Sequence, residues 1–333
     1  MPVSNENRIT CDVAVIGGGP AGMAAALEAW KNGARTVVIE RNFELGGILN
    51  QCIHNGFGLE CYGADLSGPE FAQCQRDEVA ESGILVIRNA YVTRLNPDKT
   101  MTAICEEGIL SIDAKSVILA MGCREKTRDA ILLPGARTAG IYTAGQAQYY
   151  VNIANCIPGR RFVILGSGDI GLIMARRLTL EGLEVLGVYE IMPEPGGLRR
   201  NIKNCLEDFG IPLHLSTTVT RVIGKNRVEA VMVGKVDGDF RVIPGSETEI
   251  ACDSLVLAVG LIPENELTFG AGAQLDEKSG GPVVNERFET TIPGIFACGN
   301  VLHVYDTVDH VVMDAVRVGR FSARYAAGEG AVM

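Results

Sequence analysis

The sequence contains no C-x-x-C pair, although ten cysteines are spread from Cys11 to Cys298. Zinc and ferredoxin-type cluster spacings are missing with it, and no metal is expected. No apolar run reaches the roughly 18 residues that a membrane-spanning helix needs. The opening MPVSNENRIT lacks the basic-then-apolar pattern of a secretory leader. A basic stripe is absent as well. The 30 Lys and Arg against 40 Asp and Glu leave a formal net charge of −10, which argues against a nucleic-acid-binding surface. Low-complexity segments and flexible linkers are also lacking. These absences predict an acidic cytoplasmic protein with no nucleic acid and no membrane span, its thiols reduced and mostly buried.

What the chain has in excess is glycine. It makes up 40 of 333 residues, about 12% where roughly 7% is usual. No collagen period accounts for it, so the backbone must come close to something at several points. A hydrophobic content of 47% supplies large cores, and this length implies about two domains.

One unit appears twice. Residues 12–16 (DVAVI) predict a buried strand, and Gly17-Gly18-Gly19-Pro20-Ala21-Gly22 a turn. MAAALEAWKNG then predicts a helix with Gly33 as its C-cap, and residues 36–40 a second strand ending in Glu40. The same order returns in a strand over 161–165, the turn Gly166-Ser167-Gly168-Asp169-Ile170-Gly171, the helix LIMARRLTLEG and a strand ending in Glu190. The acid follows the first glycine by 23 residues in one copy and 24 in the other, and the copies lie 149 residues apart. In such a turn the first glycine permits the tight bend and the second lets the backbone approach a pyrophosphate. The third lets helix and strand pack closely. The helix N-terminus offers N–H groups and a positive dipole end to the anion, and the acid accepts from a ribose diol.

Around these units, residues 84–95 and 101–112 read as a hairpin-like insertion turning at Asn96-Pro97-Asp98. SVILAMG (116–122) and SLVLAVG (254–260) read as buried strands ending in glycine. Residues 213–250 read as a strand-rich insertion with turns near Gly224 and Gly238, and residues 307–327 as a closing helix.

GGGPAG, LAMG, GSGDIG, LAVG and TIPGIFACGN (291–300) together resemble the pyridine nucleotide–disulfide oxidoreductase superfamily over nearly the whole chain. The resemblance implies an α/β fold of two Rossmann-like, three-layer dinucleotide-binding domains at thioredoxin-reductase-like length. The NAD(P) domain, 123–256, is inserted into a discontinuous FAD domain, 1–122 and 257–333. It implies an FAD-dependent pyridine nucleotide oxidoreductase. FAD falls to Gly17, Gly19, Pro20, Ala21, Gly22, Glu40, Arg41 and Gly47, with Val92, Ala120, Gly122, Gly299, Asn300 and Asp314 further along. Asn300 stands where the family has the aspartate that binds the flavin's ribityl chain. The segment 310–315 resembles the start of the family's final helix, whose backbone N–H groups and dipole face the flavin; Asp314 falls in that first turn, where it can also serve only as a partner to the helix dipole. Tyr305 and Asp306 fall near the isoalloxazine by the same resemblance. The nicotinamide nucleotide falls to Gly166, Gly168, Asp169, Ile170, Gly171, Glu190 and Gly260. Glu190 favours NAD(H) over NADP(H), since a carboxylate repels a 2′-phosphate; Arg199 and Arg200 follow nine and ten residues later.

The family's redox dithiols are absent. The GG-x-C-x4-C positions counted from Gly47 hold Leu49 and His54, and the C-x-x-C preceding the second turn aligns with Ala144 and Ala147. A disulfide reductase thereby loses its two thiols. The catalytic candidates that remain are Cys52 and His54, in the loop after the Gly46-Gly47 pair. GGILNQCIHNGFG and CGNVLHVYDTVDH resemble more narrowly the short bacterial flavoproteins that accompany anaerobic glycerol-3-phosphate dehydrogenase-like subunits. They are also similar to the FAD/NAD(P) subunits of hydrogen cyanide synthase and of heteromeric proline, opine and sarcosine dehydrogenases. This implies an electron-transferring subunit whose partners are a second flavoprotein dehydrogenase and a small cysteine-containing protein. A stand-alone NADH oxidase or peroxidase using Cys52, and a non-catalytic assembly subunit, stay open as alternatives.

Overall fold

Strands that read as unbroken apolar runs are buried on both faces, and this sets the architecture. The computed structural model describes residues 8–329. Residues 1–7, which hold most of the segment read as lacking a leader, and residues 330–333 lie outside the described residues. The helices are α1 (Pro20–Lys31), α2 (Gly68–Glu81), α3 (Ala144–Asn152), α4 (Asp169–Leu180), α5 (Arg199–Cys205), α6 (Glu266–Gly270) and α7 (Val308–Ala326). The chain divides into two units, one running to Arg124 and resuming at Ile262, the other spanning Glu125–Leu261. Both are α/β with a parallel sheet at the centre.

In the first unit the strand Arg8–Ile16 lies between Thr36–Ile39 and Gly108–Leu119, parallel to both. Leu85–Ile87 extends the sheet beyond Thr36–Ile39, and Ile295–Ala297 pairs with Gly108–Leu119, both in parallel. The insertion is arranged differently from the simple hairpin expected at 84–95 and 101–112. Its first half splits, with Leu85–Ile87 at one sheet edge and Tyr91–Leu95 at the other; the break includes Asn89 at φ 52°. Its second half yields Thr100–Cys105 and then a twelve-residue strand, Gly108–Leu119, that absorbs most of SVILAMG. That strand alternates buried and open positions where it pairs antiparallel with Thr100–Cys105, and is buried throughout 116–119 where parallel neighbours flank it. Helices α1 and α7 cover one face. They approach closely because α1 presents Ala24, Ala25 and Ala26, and a Cβ at Gly319 of α7 would strike the Ala25 carbonyl.

The second unit has a five-stranded parallel sheet in the order Ile141–Thr143, Ser254–Leu257, Arg161–Leu165, Glu184–Tyr189, Leu213–His214. On one side Phe162 and Ile164 share a core with Leu172, Met174 and Leu178 of α4 and Ala144, Ala147 and Val151 of α3. On the other, Val163, Leu165 and Leu257 meet the antiparallel strands Thr217–Gly224 and Val228–Lys235 through Val219, Val222 and Val231. Ser254–Leu257 is an interior strand of this sheet, flanked by Ile141–Thr143 and Arg161–Leu165, and so lies within the second unit. No helix among the described residues is long and apolar enough to cross a membrane. No group of three or more His, Cys, Asp or Glu among them could hold a metal ion.

Candidate functional sites

The first glycine turn follows from crowding. Gly17 has a φ of +103°, and a Cβ there would strike the carbonyl oxygen of Ala120. Its N–H donates to Ile39 O at 2.9 Å, while Ala120 N–H donates to Ile16 O at 2.9 Å. A Cβ at Gly22 would run into Gly17 O. Gly19 differs. It is the N-cap of α1, and the nearest atom to a Cβ there is Gly47 Cα at 4.0 Å. Pro20 follows at the helix start, and no acid occupies the first turn. The first and third glycines are thus spent on packing, and the second leaves room above a helix N-terminus, where an anion fits. Glu40 is buried at 4% exposure. Its Oε2 accepts Gly18 N–H at 2.6 Å and its Oε1 accepts Asn42 N–H at 2.8 Å. Arg41 beside it is exposed.

The second turn repeats this geometry in the other unit. Gly166 has a φ of +102° and would strike Ala258 O with a Cβ; its N–H donates to Tyr189 O at 2.8 Å. A Cβ at Gly171 would lie 2.5 Å from Gly166 O, whereas one at Gly168 would meet nothing within 4 Å. Glu190, 8% exposed, accepts Ser167 N–H (2.8 Å) and Ser167 Oγ (2.7 Å) at Oε2, and Met192 N–H (3.0 Å) at Oε1. Ile170, the second residue of α4, packs against the core. Gly260 lies beside Lys126, whose N–H donates to Gly260 O at 2.9 Å.

The structure adds two features to these sites: the match of Gly46-Gly47 by a second glycine pair, and Ala90. Gly46-Gly47 and Gly196-Gly197 each begin six residues after the acid, so the repeat extends past Glu40 and Glu190. Gly46 N–H donates to Gly18 O at 2.8 Å, and Gly196 N–H donates to Ser167 Oγ at 2.8 Å. In the second unit the fold-back is held further by Asp169 Oδ1, which accepts Leu198 N–H and Asn201 Nδ2, both at 2.8 Å. The segment that leads into Arg199 and Arg200 is thereby tied to the turn. The second feature is Ala90, whose N–H donates to Glu40 O at 2.9 Å. Val92, two residues on, buries its side chain in the core cluster that also holds Val37, Ile39 and Ala103.

At the other end of the first unit, Gly299 packs its Cα side against Ala21 at the start of α1, where a Cβ would come to 2.7 Å. Asn300 Oδ1 accepts Tyr305 N–H at 3.2 Å, and Nδ2 donates to Cys123 Sγ at 3.5 Å. A carboxylate there could accept from the thiol but could not donate to it. Gly122 faces open space. Asp314 is not in the first turn of α7, which begins at Val308; Asp309 is the acid there. Asp314 accepts from Tyr305 Oη at 2.9 Å and from Arg317 Nη1 at 3.1 Å. Burial and that carboxylate push the Tyr305 phenol well above its ordinary value. His303 stacks on the Tyr305 ring at 4.0 Å between centroids, Asp306 is exposed, and His310 stands 3.9 Å from Glu60.

The described cysteines are all free. Cys52 is 8% exposed and its thiol donates to Ile48 O at 3.3 Å. His54 Nδ1 pairs with Asn55 O at 3.0 Å and its ring tilts against Phe57. The two candidates therefore turn to different partners. Burial pushes the Cys298 thiol up to about 12, with Asp314 adding to it. Leu49, Ala144 and Ala147 are buried core residues.

A family model described as pyridine nucleotide-disulphide oxidoreductase matches residues 11–317. The mitochondrial dihydrolipoyl dehydrogenase of Caenorhabditis elegans is 27% identical over 89% of this chain and 64% of its own length. An opine oxidase subunit of Agrobacterium tumefaciens is 27% identical over 87% of this chain and 61% of its own. The chain thus spans roughly three fifths of the length of these curated relatives. Among solved structures, thioredoxin reductase of T. acidophilum has the same fold, with a TM-score of 0.77 at 22% identity, covering 96% of this chain and 99% of that one.

Proposed function

This chain belongs to the pyridine nucleotide-disulphide oxidoreductase family, and from that premise we propose that it is an FAD-dependent, NAD(H)-linked oxidoreductase. It serves as the electron-transferring subunit of a multi-component dehydrogenase. The observation that carries the reading is a pair of glycine turns, each closed by a buried glutamate, in a chain whose dithiol positions hold Leu49, His54, Ala144 and Ala147. With no thiol pair to pass electrons onward, the nucleotides themselves carry the redox chemistry.

The residues present fit both groups. The open sides of Gly19 and Gly168 sit at N-caps of twelve-residue helices and suit a pyrophosphate. A carboxylate offers roughly four acceptor positions. Two of these are used by backbone in Glu40 and three are used in Glu190, so each keeps capacity for a ribose hydroxyl. FAD, when bound, supplies a two-electron centre that no side chain here provides. Gly299 gives close approach at the start of α1, and Asn300, fixed by Tyr305 N–H and Cys123, presents a pre-oriented amide to a polyol chain. Glu190 carries a negative charge where a 2′-phosphate would lie, which favours NAD(H). The name of one relative, an opine oxidase subunit, supports a role within a larger complex; the partner here is a second flavoprotein that oxidises the substrate, with a small cysteine-containing protein as a further component.

The test is direct. Purified protein should be yellow, and NADH added without oxygen should bleach its visible band. A native pull-down should bring a dehydrogenase subunit with it. Bound FAD that stays oxidised under excess NADH would refute the nicotinamide half of the reading.

A further inference from the structure

We propose that Asp309 is a positioning residue, a buried carboxylate that clamps the loop after Gly58 to the start of α7. It keeps the wall carrying Cys52 and His54 in one shape beside the first glycine turn. What that wall encloses rests on the FAD reading above; the clamp itself does not. Asp309 is 5% exposed and is the second residue of α7. It accepts Cys61 N–H at 2.9 Å (Oδ1), Glu60 N–H at 3.2 Å (Oδ1) and Gly58 N–H at 3.2 Å (Oδ2), from a segment about 250 residues away in the chain. The thiol of Cys61 turns to Asp309 O at 3.8 Å. Val308 and Val312 flank the clamp and pack with Leu49, Phe57, Leu66 and Phe71.

The clamp is continuous with the glycine turn. A Cβ at Gly47 would meet Gly19 Cα at 3.1 Å, Leu49 anchors the following turn in the core, and Cys52 O accepts Gly68 N–H at 2.9 Å. Residues 58–65 have no helix or strand to satisfy their amides. A single ionised carboxylate can take three of them, and the N-terminal dipole of α7 stabilises that charge. Burial works against ionisation, yet the N–H donors of Cys61, Gly58 and Glu60 prevail and hold the carboxyl below its ordinary value. Asp309 is therefore charged at neutral pH, when the clamp is closed.

The experiment uses the full chain as purified. Hydrogen–deuterium exchange over residues 56–62 is compared between parent, Asp309→Asn and Thr307→Ala, together with the flavin absorption band and midpoint potential. Thr307→Ala removes the α7 N-cap, whose Oγ1 faces His310 N–H at 3.5 Å, and leaves the clamp alone. Asp309→Asn should speed exchange roughly tenfold or more, the scale of losing hydrogen bonds to a charged acceptor, and should move the band and the potential. Thr307→Ala should lower the melting temperature and move neither. Parent-like exchange in Asp309→Asn, or fast exchange with an unmoved band and potential, overturns the proposal. If Asp309→Asn does not fold, Asp309→Glu, which keeps the charge displaced by one methylene, should show intermediate exchange, and parent-like exchange there overturns it equally. A parent that holds no flavin refutes the FAD reading by itself; exchange measured on that flavin-free chain still decides the clamp.

Discussion

Substituting Gly168 by alanine should separate binding from folding. Its backbone, at φ −62° and ψ 161°, is open to any residue, and a methyl there meets nothing within 4 Å. The folded state should lose no more than about 0.5 kcal/mol, the range of substitutions that touch nothing. Gly171→Ala, three residues on, drives a methyl to 2.5 Å from Gly166 O and 2.9 Å from Ala258 Cβ. Overpacking of that kind costs about 1–3 kcal/mol. For the nucleotide the order reverses. In the proposed reading a methyl at residue 168 stands where the pyrophosphate approaches and should displace it from the first-turn N–H groups of α4. Losing one charge-assisted hydrogen bond costs about 1.5–3 kcal/mol, which is roughly 10- to 150-fold in Kd. Thermal melts without nucleotide, paired with anaerobic NADH titration of the flavin-loaded protein, read the two effects separately. The reasoning is refuted if Gly168→Ala melts as low as Gly171→Ala, or if it binds NADH as tightly as the parent.

Glu190→Gln should strand at least one of Ser167 N–H and Met192 N–H without an acceptor. This costs about 1–3 kcal/mol, and loss of the charge should shift the kcat/KM ratio toward NADPH. A parent-like melt together with a parent-like ratio contradicts the role given to this acid. Cys52→Ser should leave turnover with oxygen or peroxide unchanged, and a large loss would revive the thiol oxidase. Asp12 sits by Arg35 and Lys115, whose donors outweigh its burial and hold its carboxyl below the ordinary value of 3.8. A group whose pKa is lowered on folding stabilises above its unfolded value, and that stability is lost as pH falls through the folded one. In urea melts, the stability gap between parent and Asp12→Asn should therefore be constant near neutrality and close as the pH drops below 3.8; a gap that widens in acid would contradict this.

Much of the site was legible because local chemistry sets it. Gly17, Gly22, Gly166 and Gly171 can be read as packing glycines from spacing alone, since a strand-turn-helix of this length leaves no room for a Cβ. Gly196-Gly197 was legible too, at the same offset from its acid as Gly46-Gly47, but a pattern of two small residues has little weight until hydrogen bonds to the turn are seen. Asp314 was placed in the first turn of the final helix for a different reason. A resemblance assigns a position in a motif, whereas a helix that begins at Val308 decides where the side chain goes.

The sequence by itself determined two glycine turns, the acids that close them and the absence of a dithiol, because each depends on residues within a few dozen positions. Only the tertiary structure decided which long-range partners complete them. Ala120 and Ala258 crowd the first glycines from more than 90 residues away, Ser254–Leu257 belongs to the second unit, Asn300 holds Cys123 and Tyr305, and Asp309 gathers the amides of Gly58, Glu60 and Cys61. A backbone amide carries no side-chain signature, so nothing in the string of letters marks which one a distant carboxylate will bind.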